Sequence, residues 1–186
     1  IQQKNNKMKI GIVGTGNISS RHLDAFSKIN NVNVEAVCDI NKKNLDKFLL
    51  DNKDKKIRGY LSLDEMLDKE KSFDGISNTT PDKFHKDTTL QILKKGYNVF
   101  CEKPLAENYE DAKEMVQAAL KTKSINMVNF TYRESSAYQK LVEIIKSGDV
   151  GVPRHVSACY YQSWLSSNKW GDWKKEDKWL WRLSTK

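Results

Sequence analysis

Apolar residues along the chain fall into short unbroken runs, separated by stretches with helical spacing. The runs are Met8–Gly14, Val32–Asp39, Phe73–Thr80, Tyr97–Lys103 and Ile125–Arg133. Runs without strict alternation are expected of strands buried on both faces of a parallel sheet. Between them, a helix is expected from about Asn17 to Ile29. Asn41 caps another that carries Leu45, Phe48 and Leu49. Ser62 and Glu65 form a capping box. Thr80 and Pro81 read as an N-cap and first-turn proline of a helix running to Gly96. Asn108 opens a helix with Ala112, Met115, Val116, Ala119 and Leu120 on one face. This strand–helix alternation predicts an α/β fold: a doubly wound parallel sheet with right-handed crossovers.

The pattern changes near Tyr132. A helix is expected from Ser135 or Ser136 to Gly148, then a strand over Arg154–Gln162. All five tryptophans lie between Trp164 and Trp181. The expected division is 1–7 as a tag or N-terminal extension, 8–131 as one domain, and 132–186 as the incomplete start of a second. With no further chain to cover them, five tryptophans would leave a large apolar patch. The expectation is therefore the N-terminal part of a longer protein, or a truncated gene product, with the second domain incomplete unless a partner chain completes it.

Charge and cysteines narrow the function classes. The chain carries a net charge of +8, but its lysines are spread and mixed with Asp and Glu. That reads as solvated surface, not a nucleic-acid face. No apolar run approaches the ~20 residues of a membrane span, and no secretory signal opens the chain. Cys38, Cys101 and Cys159 are far apart, with no CxxC spacing, so neither a disulfide framework nor a metal site is expected. Reduced thiols in a cytoplasmic protein are the plain expectation.

Candidate chemistry begins at Gly14-Thr15-Gly16, where a strand meets a helix. The first glycine permits the tight turn. The second lets backbone approach a pyrophosphate, which the helix N-terminus holds through free N–H groups and its dipole. Ser19 stands at the usual third glycine. Asp39, about 20 residues further on, can accept hydrogen bonds from an adenosine ribose and repel a 2′-phosphate. NAD is thus favoured over NADP, although Lys42 and Lys43 lie close in sequence. The alternative stays open that the glycines merely turn the chain and Asp39 caps a helix. A second constellation is Glu102-Lys103-Pro104, at a strand's carboxyl end, where open α/β sheets bind ligands. Taken alone, Glu102 and Lys103 also read as an exposed pair before a turn.

In this order and spacing, GIVGTGNISSRH, NTTPDKFHKD and GYNVFCEKPLA resemble the glucose–fructose oxidoreductase/inositol dehydrogenase (Gfo/Idh/MocA) family. The resemblance runs from Met8 to about Arg182. It implies an NAD(P)-binding Rossmann domain, followed by a domain with an open, mostly antiparallel sheet. The implied activity is oxidation or reduction of a hydroxyl or keto carbon of a sugar, inositol or related polyol, often by a dimer or tetramer. By position, Gly14, Thr15, Gly16, Asn17 and Ile18 would contact the pyrophosphate, and Asp39 the ribose. Asn78, Thr79, Thr80, Pro81 and His85 would border the cofactor. For His85, packing under the loop is an equal alternative. Glu102 would lie near the nicotinamide ribose, and Lys103 would be the catalytic or orienting lysine. Tyr132, Arg133 and Trp164 are substrate-side candidates, with packing as the rival role.

The family's downstream Gly-rich segment, with its acid/base histidine, does not occur up to Lys186. Lys103 alone would have to accept the proton, with an ordinary pKa near ~10.4 unless burial lowers it. The acid/base is therefore expected beyond Lys186. A non-catalytic nucleotide-binding sensor of the same fold, or a cofactor-binding fragment without turnover, is the alternative function.

Overall fold

The computed structural model describes residues 7–163, with 166–167, 171–172 and 175–176. The chain divides into two compact units, Ile1–Ser135 and Ser136–Lys186. In the first unit, strands β1 (Met8–Val13), β2 (Val32–Cys38), β3 (Arg58–Tyr60), β4 (Gly75–Asn78), β5 (Val99–Glu102) and β6 (Asn126–Asn129) alternate with helices. The helices are α1 (Ser19–Ser27), α2 (Lys42–Asp51), α3 (Leu63–Lys69), α4 (His85–Lys94) and α5 (Tyr109–Leu120). The strands form one six-stranded sheet in the order β3-β2-β1-β4-β5-β6. Every pairing is parallel. This is the doubly wound architecture that the alternation predicts.

The unbroken apolar runs follow from burial of both sheet faces. Ile10, Ile12, Val34 and Val37 pack with Leu23, Leu45 and Phe48 on one face. Ile76, Val99 and Cys101 pack with Met66, Ile92 and Met115 on the other. The register slips between Ile10/Val34 and Gly11/Ala36, so Glu35 is an extra residue in β2. The slip moves Ala36 and Cys38 to the face opposite Val34, which is why β2 shows no simple alternation. Each buried Val, Leu, Ile, Phe or Met side chain of these two layers contributes roughly 1.5–3 kcal/mol.

Several caps follow the sequence reading. Asn41 accepts from the amides of Lys43 and Asn44, and Asn108 from Asp111. Ser62 accepts from Glu65 N, while the Glu65 carboxylate pairs with Lys69 at 2.7 Å, so the capping box is half made. Other expectations are corrected. The first helix starts at Ser19, not Asn17, because residues 16–18 form the turn. Pro81 is extended (φ −60°, ψ 151°) and precedes a 3₁₀ turn over Asp82–Phe84, so the α-helix begins only at His85. The edge strand β3, three residues long, has too little apolar pattern to be read from sequence. On α5 only Met115 is buried; Val116 and Leu120 are exposed beside edge strand β6. They line an apolar groove of about 470 Å³ with Met127.

In the second unit, α6 (Ser136–Ser147) forms as expected and ends at Gly148, whose φ is +82°. The strand expected over Arg154–Gln162 is not formed: these residues are exposed and carry no ladder. A strand forms where a neighbouring strand takes up its N–H and C=O groups, and residues 154–162 lie in no such ladder. The five tryptophans, including Trp164, lie outside the described residues. No helix among the described residues is long and apolar enough to cross a membrane.

Candidate functional site

Parallel strands deliver their carboxyl ends to one edge, and the candidate residues gather there. After β1, Gly14 turns the chain with φ +88°. A Cβ at Gly14 would stand 2.7 Å from Thr79 O and 2.8 Å from Thr80 N. Only glycine fits this approach of two backbones. Thr79 secures the crossing: its amide donates to Val13 O at 2.8 Å and its hydroxyl to Gly14 O at 2.7 Å.

Gly16 is different. It is exposed, and no atom lies within 4 Å of where its Cβ would stand. Nothing in the protein's own packing requires glycine here. Among the described residues, no protein acceptor takes the amides of Gly16, Asn17 or Ile18. They precede the positive end of α1, and Ser19 folds its hydroxyl back onto Gly16 O at 2.5 Å. A space a Cβ would fill, beside unclaimed amides at a helix N-terminus, fits a pyrophosphate.

Asp39, just past β2, is half-buried. Its Oδ2 accepts from Thr15 N at 2.7 Å and Thr15 Oγ1 at 2.9 Å; Oδ1 accepts from Asn41 N at 2.8 Å. A carboxylate offers about four lone-pair directions, so capacity for one ribose hydroxyl remains on Oδ1. Asp39 therefore fixes the glycine turn as well as facing the edge. The neighbouring Cys38 thiol is pushed up to about 12 by burial, with Asp39 and Glu65 adding to it. Burial likewise raises Cys101, to about 11.

At the end of β4, Asn78 is fully buried and donates to His85 O at 3.2 Å and Thr89 Oγ1 at 3.1 Å. Its Oδ1 accepts from the Thr80 hydroxyl at 2.7 Å. His85 is also fully buried. Its Nδ1 lies 2.7 Å from Pro104 O and its Nε2 2.9 Å from Thr80 O. It thus ties the loop after β4 to the turn after β5.

Glu102 ends β5 and is 6% exposed. Its Oε1 accepts from His22 Nε2 at 2.8 Å and from Asn129 Nδ2 at 2.6 Å. Its Oε2 accepts from Lys103 N at 3.2 Å. Burial works to raise this carboxyl. The hydrogen bonds from His22, Asn129 and Lys103 outweigh it and hold the group below the usual carboxylate range. The Lys103 side chain is exposed at the edge. Beyond β6, Tyr132 and Arg133 sit in a 3₁₀ turn over Thr131–Glu134.

Sequence reasoning passed over His22 and Asn129. His22 lies on the buried face of α1, with Nδ1 2.8 Å from Ser77 Oγ. The order Ser77–His22–Glu102 matches that of an acyl-transfer triad. Ser77 is 1% exposed within β4, however, so no substrate reaches it and acyl transfer is excluded. A histidine at helical spacing with Ser19, Leu23 and Phe26 on the inward face of α1 was the available signal; its partners come from three other elements. Among the described residues, no group of three or more His, Cys, Asp or Glu could hold a metal ion.

Residues 8–130 match the family model for oxidoreductases with an NAD-binding Rossmann fold, GFO_IDH_MocA. The chain is 32% identical over 162 residues to an inositol 2-dehydrogenase of Salmonella paratyphi B, covering 84% of this chain and 46% of that enzyme. It is 33% identical over 143 residues to the glucose-6-phosphate 3-dehydrogenase of Bacillus subtilis, covering 77% and 39%. Among solved structures, the WlbA dehydrogenase of Chromobacterium violaceum, in complex with NADH and UDP-GlcNAcA, superposes with a TM-score of 0.73 at 29% identity. That match covers 80% of this chain and 42% of the other. The chain thus spans less than half the length of the relatives it matches.

Proposed function

The chain belongs to the Gfo/Idh/MocA family of oxidoreductases, and we propose that it forms the nucleotide-binding half of a nicotinamide-dependent dehydrogenase. The substrate class is a sugar, inositol or related polyol, reacting at a hydroxyl or keto carbon. The observation that carries this reading is Gly16: a glycine that the protein's packing does not require, beside amides without protein acceptors. Relatives named inositol 2-dehydrogenase and glucose-6-phosphate 3-dehydrogenase support the substrate class.

When bound, the nicotinamide supplies the hydride chemistry itself. The chain's residues hold and orient. The amides of Gly16, Asn17 and Ile18 take the pyrophosphate, with the positive end of α1 behind them. Asp39 accepts from a ribose hydroxyl. A 2′-phosphate would meet its negative charge, and Lys42 is engaged by Asp46 at 2.6 Å. NAD is therefore preferred over NADP. Asn78, Thr79, Thr80 and Pro81 wall the cofactor, with His85 packed beneath. Glu102 holds the backbone of Lys103, and Lys103 presents its ammonium to the substrate hydroxyl. Tyr132 and Arg133, following β6 at the same edge, face the substrate. In this reading residues 8–131 are the dinucleotide domain, and 132–186 begin a substrate and oligomerisation domain. Buried reduced thiols at Cys38 and Cys101 accord with a cytoplasmic enzyme.

Calorimetric titration of the chain with NADH and NADPH tests the reading. NADH is expected to bind, and more tightly than NADPH; binding of neither overturns it. In the active enzyme, Lys103→Ala is expected to cut kcat by about 100-fold or more with NADH affinity retained. Normal turnover would remove the lysine from the chemistry.

A further inference from the structure

We infer that His22 is a positioning residue for the Glu102–Lys103 corner, linking it to the helix behind the glycine turn. Lys103's part in the chemistry rests on the proposed function; the link itself does not.

Glu102 is the hub of a buried polar chain drawn from four elements. His22 comes from α1, Ser77 from β4, Glu102 from β5 and Asn129 from β6. His22 is 5% and Ser77 1% exposed, so water does not substitute for these partners. The Nε2–H of His22 donates to Glu102 Oε1, and the Ser77 hydroxyl rotates to suit Nδ1. Phe100 and Phe26 pack around the imidazole, with ring centroids at 5.5 and 6.3 Å, and fix its plane.

The other carboxylate oxygen accepts from Lys103 N. Both oxygens of Glu102 are thus engaged in holding, while the exposed Lys103 side chain is the reactive candidate. His22 lies in the first turn of α1, its amide bonded to Ile18 O at 3.2 Å. One rigid turn of helix therefore connects the pyrophosphate-side amides to the strand end that presents Lys103. Beside His22, the groups bonded to the Glu102 carboxylate are Asn129 and the Lys103 amide, while Cys101 points to the opposite face of β5, into the core with Ile76 and Val99. His22 is accordingly the side chain whose removal most alters the carboxylate's surroundings.

The donor position separates this role from mere packing. A glutamine places its amide nitrogen near the Nε2 position, an asparagine near Nδ1. Carboxyl titration of Glu102 by carbon-13 NMR, with hydrogen exchange at the Lys103 amide, is measured on the full chain carrying His22→Gln or His22→Asn. His22→Gln is expected to keep the wild-type midpoint and Lys103 protection. His22→Asn is expected to raise the midpoint and speed Lys103 exchange by about tenfold or more, as loss of a hydrogen bond to a charged group implies. In the active enzyme, His22→Asn should lower kcat by about 10- to 100-fold with little change in KM for NADH. Gln and Asn variants with the same Glu102 midpoint would overturn the inference. Should His22→Asn not fold, the wild type decides: a slowly exchanging Nε2–H proton with a cross-peak to the Glu102 side chain supports the link, and its absence overturns it. A link that holds while Lys103→Ala turns over normally supports the positioning and removes only the catalytic reading.

Discussion

Two glycines two residues apart are expected to respond to the same substitution in opposite ways. Gly14→Ala places a methyl group at φ +88°, 2.7 Å from Thr79 O and 2.8 Å from Thr80 N. The left-handed backbone costs a non-glycine residue about 1–2 kcal/mol. The clash is with backbone on both sides, which yields little, and overpacking of this kind costs roughly 1–3 kcal/mol more. The sum is about 2–5 kcal/mol, a fall in melting temperature of roughly 10 °C or more for a unit of this size. Gly16→Ala meets nothing within 4 Å, and Gly16 lies outside the left-handed region. Its folding stability should change by no more than about 0.5–1 kcal/mol, with a slight gain from the reduced freedom of the unfolded chain. The same methyl group would occupy the space assigned to the pyrophosphate. Loss of a charge-assisted hydrogen bond there is worth about 1.5–3 kcal/mol, or roughly 10- to 100-fold in NADH affinity. Thermal melting and calorimetric titration on the two variants separate the effects. A Gly16→Ala protein that binds NADH as tightly as the parent would refute the assignment of this turn to the pyrophosphate. A Gly14→Ala protein with unchanged melting would refute the packing argument for the crossing of the two loops.

Asp39→Asn should narrow the preference for NADH over NADPH by about tenfold, since it removes the charge a 2′-phosphate would meet while keeping acceptors for Thr15. Nucleotide titrations check this, and an unchanged ratio would count against Asp39 as the selective residue. Acid should weaken the fold through Glu102. Its folded-state pKa lies below the ordinary 4.5, so its contribution is complete above 4.5 and is lost as pH falls through the lower folded value. Urea melts between pH 3 and 6, compared with Glu102→Gln, measure this. A Glu102→Gln protein with the same acid dependence as the parent would show that other carboxylates carry it.

The sequence by itself determined the fold class and pointed to the glycine turn proposed to hold a pyrophosphate. Unbroken apolar runs such as Met8–Val13 signal strands buried on both faces. Asn41, Ser62 and Asn108 mark helix starts because capping is a local event, read within three residues. Gly14 and Gly16 are legible for the same reason: the need for a glycine is written at the glycine. The partition of roles between those two was decided only by tertiary structure, because the loop after β4 stands against a Cβ at Gly14 and leaves Gly16 open. The strand expected at Arg154–Gln162 shows the limit in the other direction, since pairing needs a partner that local pattern does not supply. His22 and Asn129 show it most clearly. Their side chains meet at Glu102 from positions 107 residues apart in the chain. No periodicity or spacing connects residues that far apart; only the parallel stacking of β5 beside β6, with α1 laid across that sheet face, brings them together.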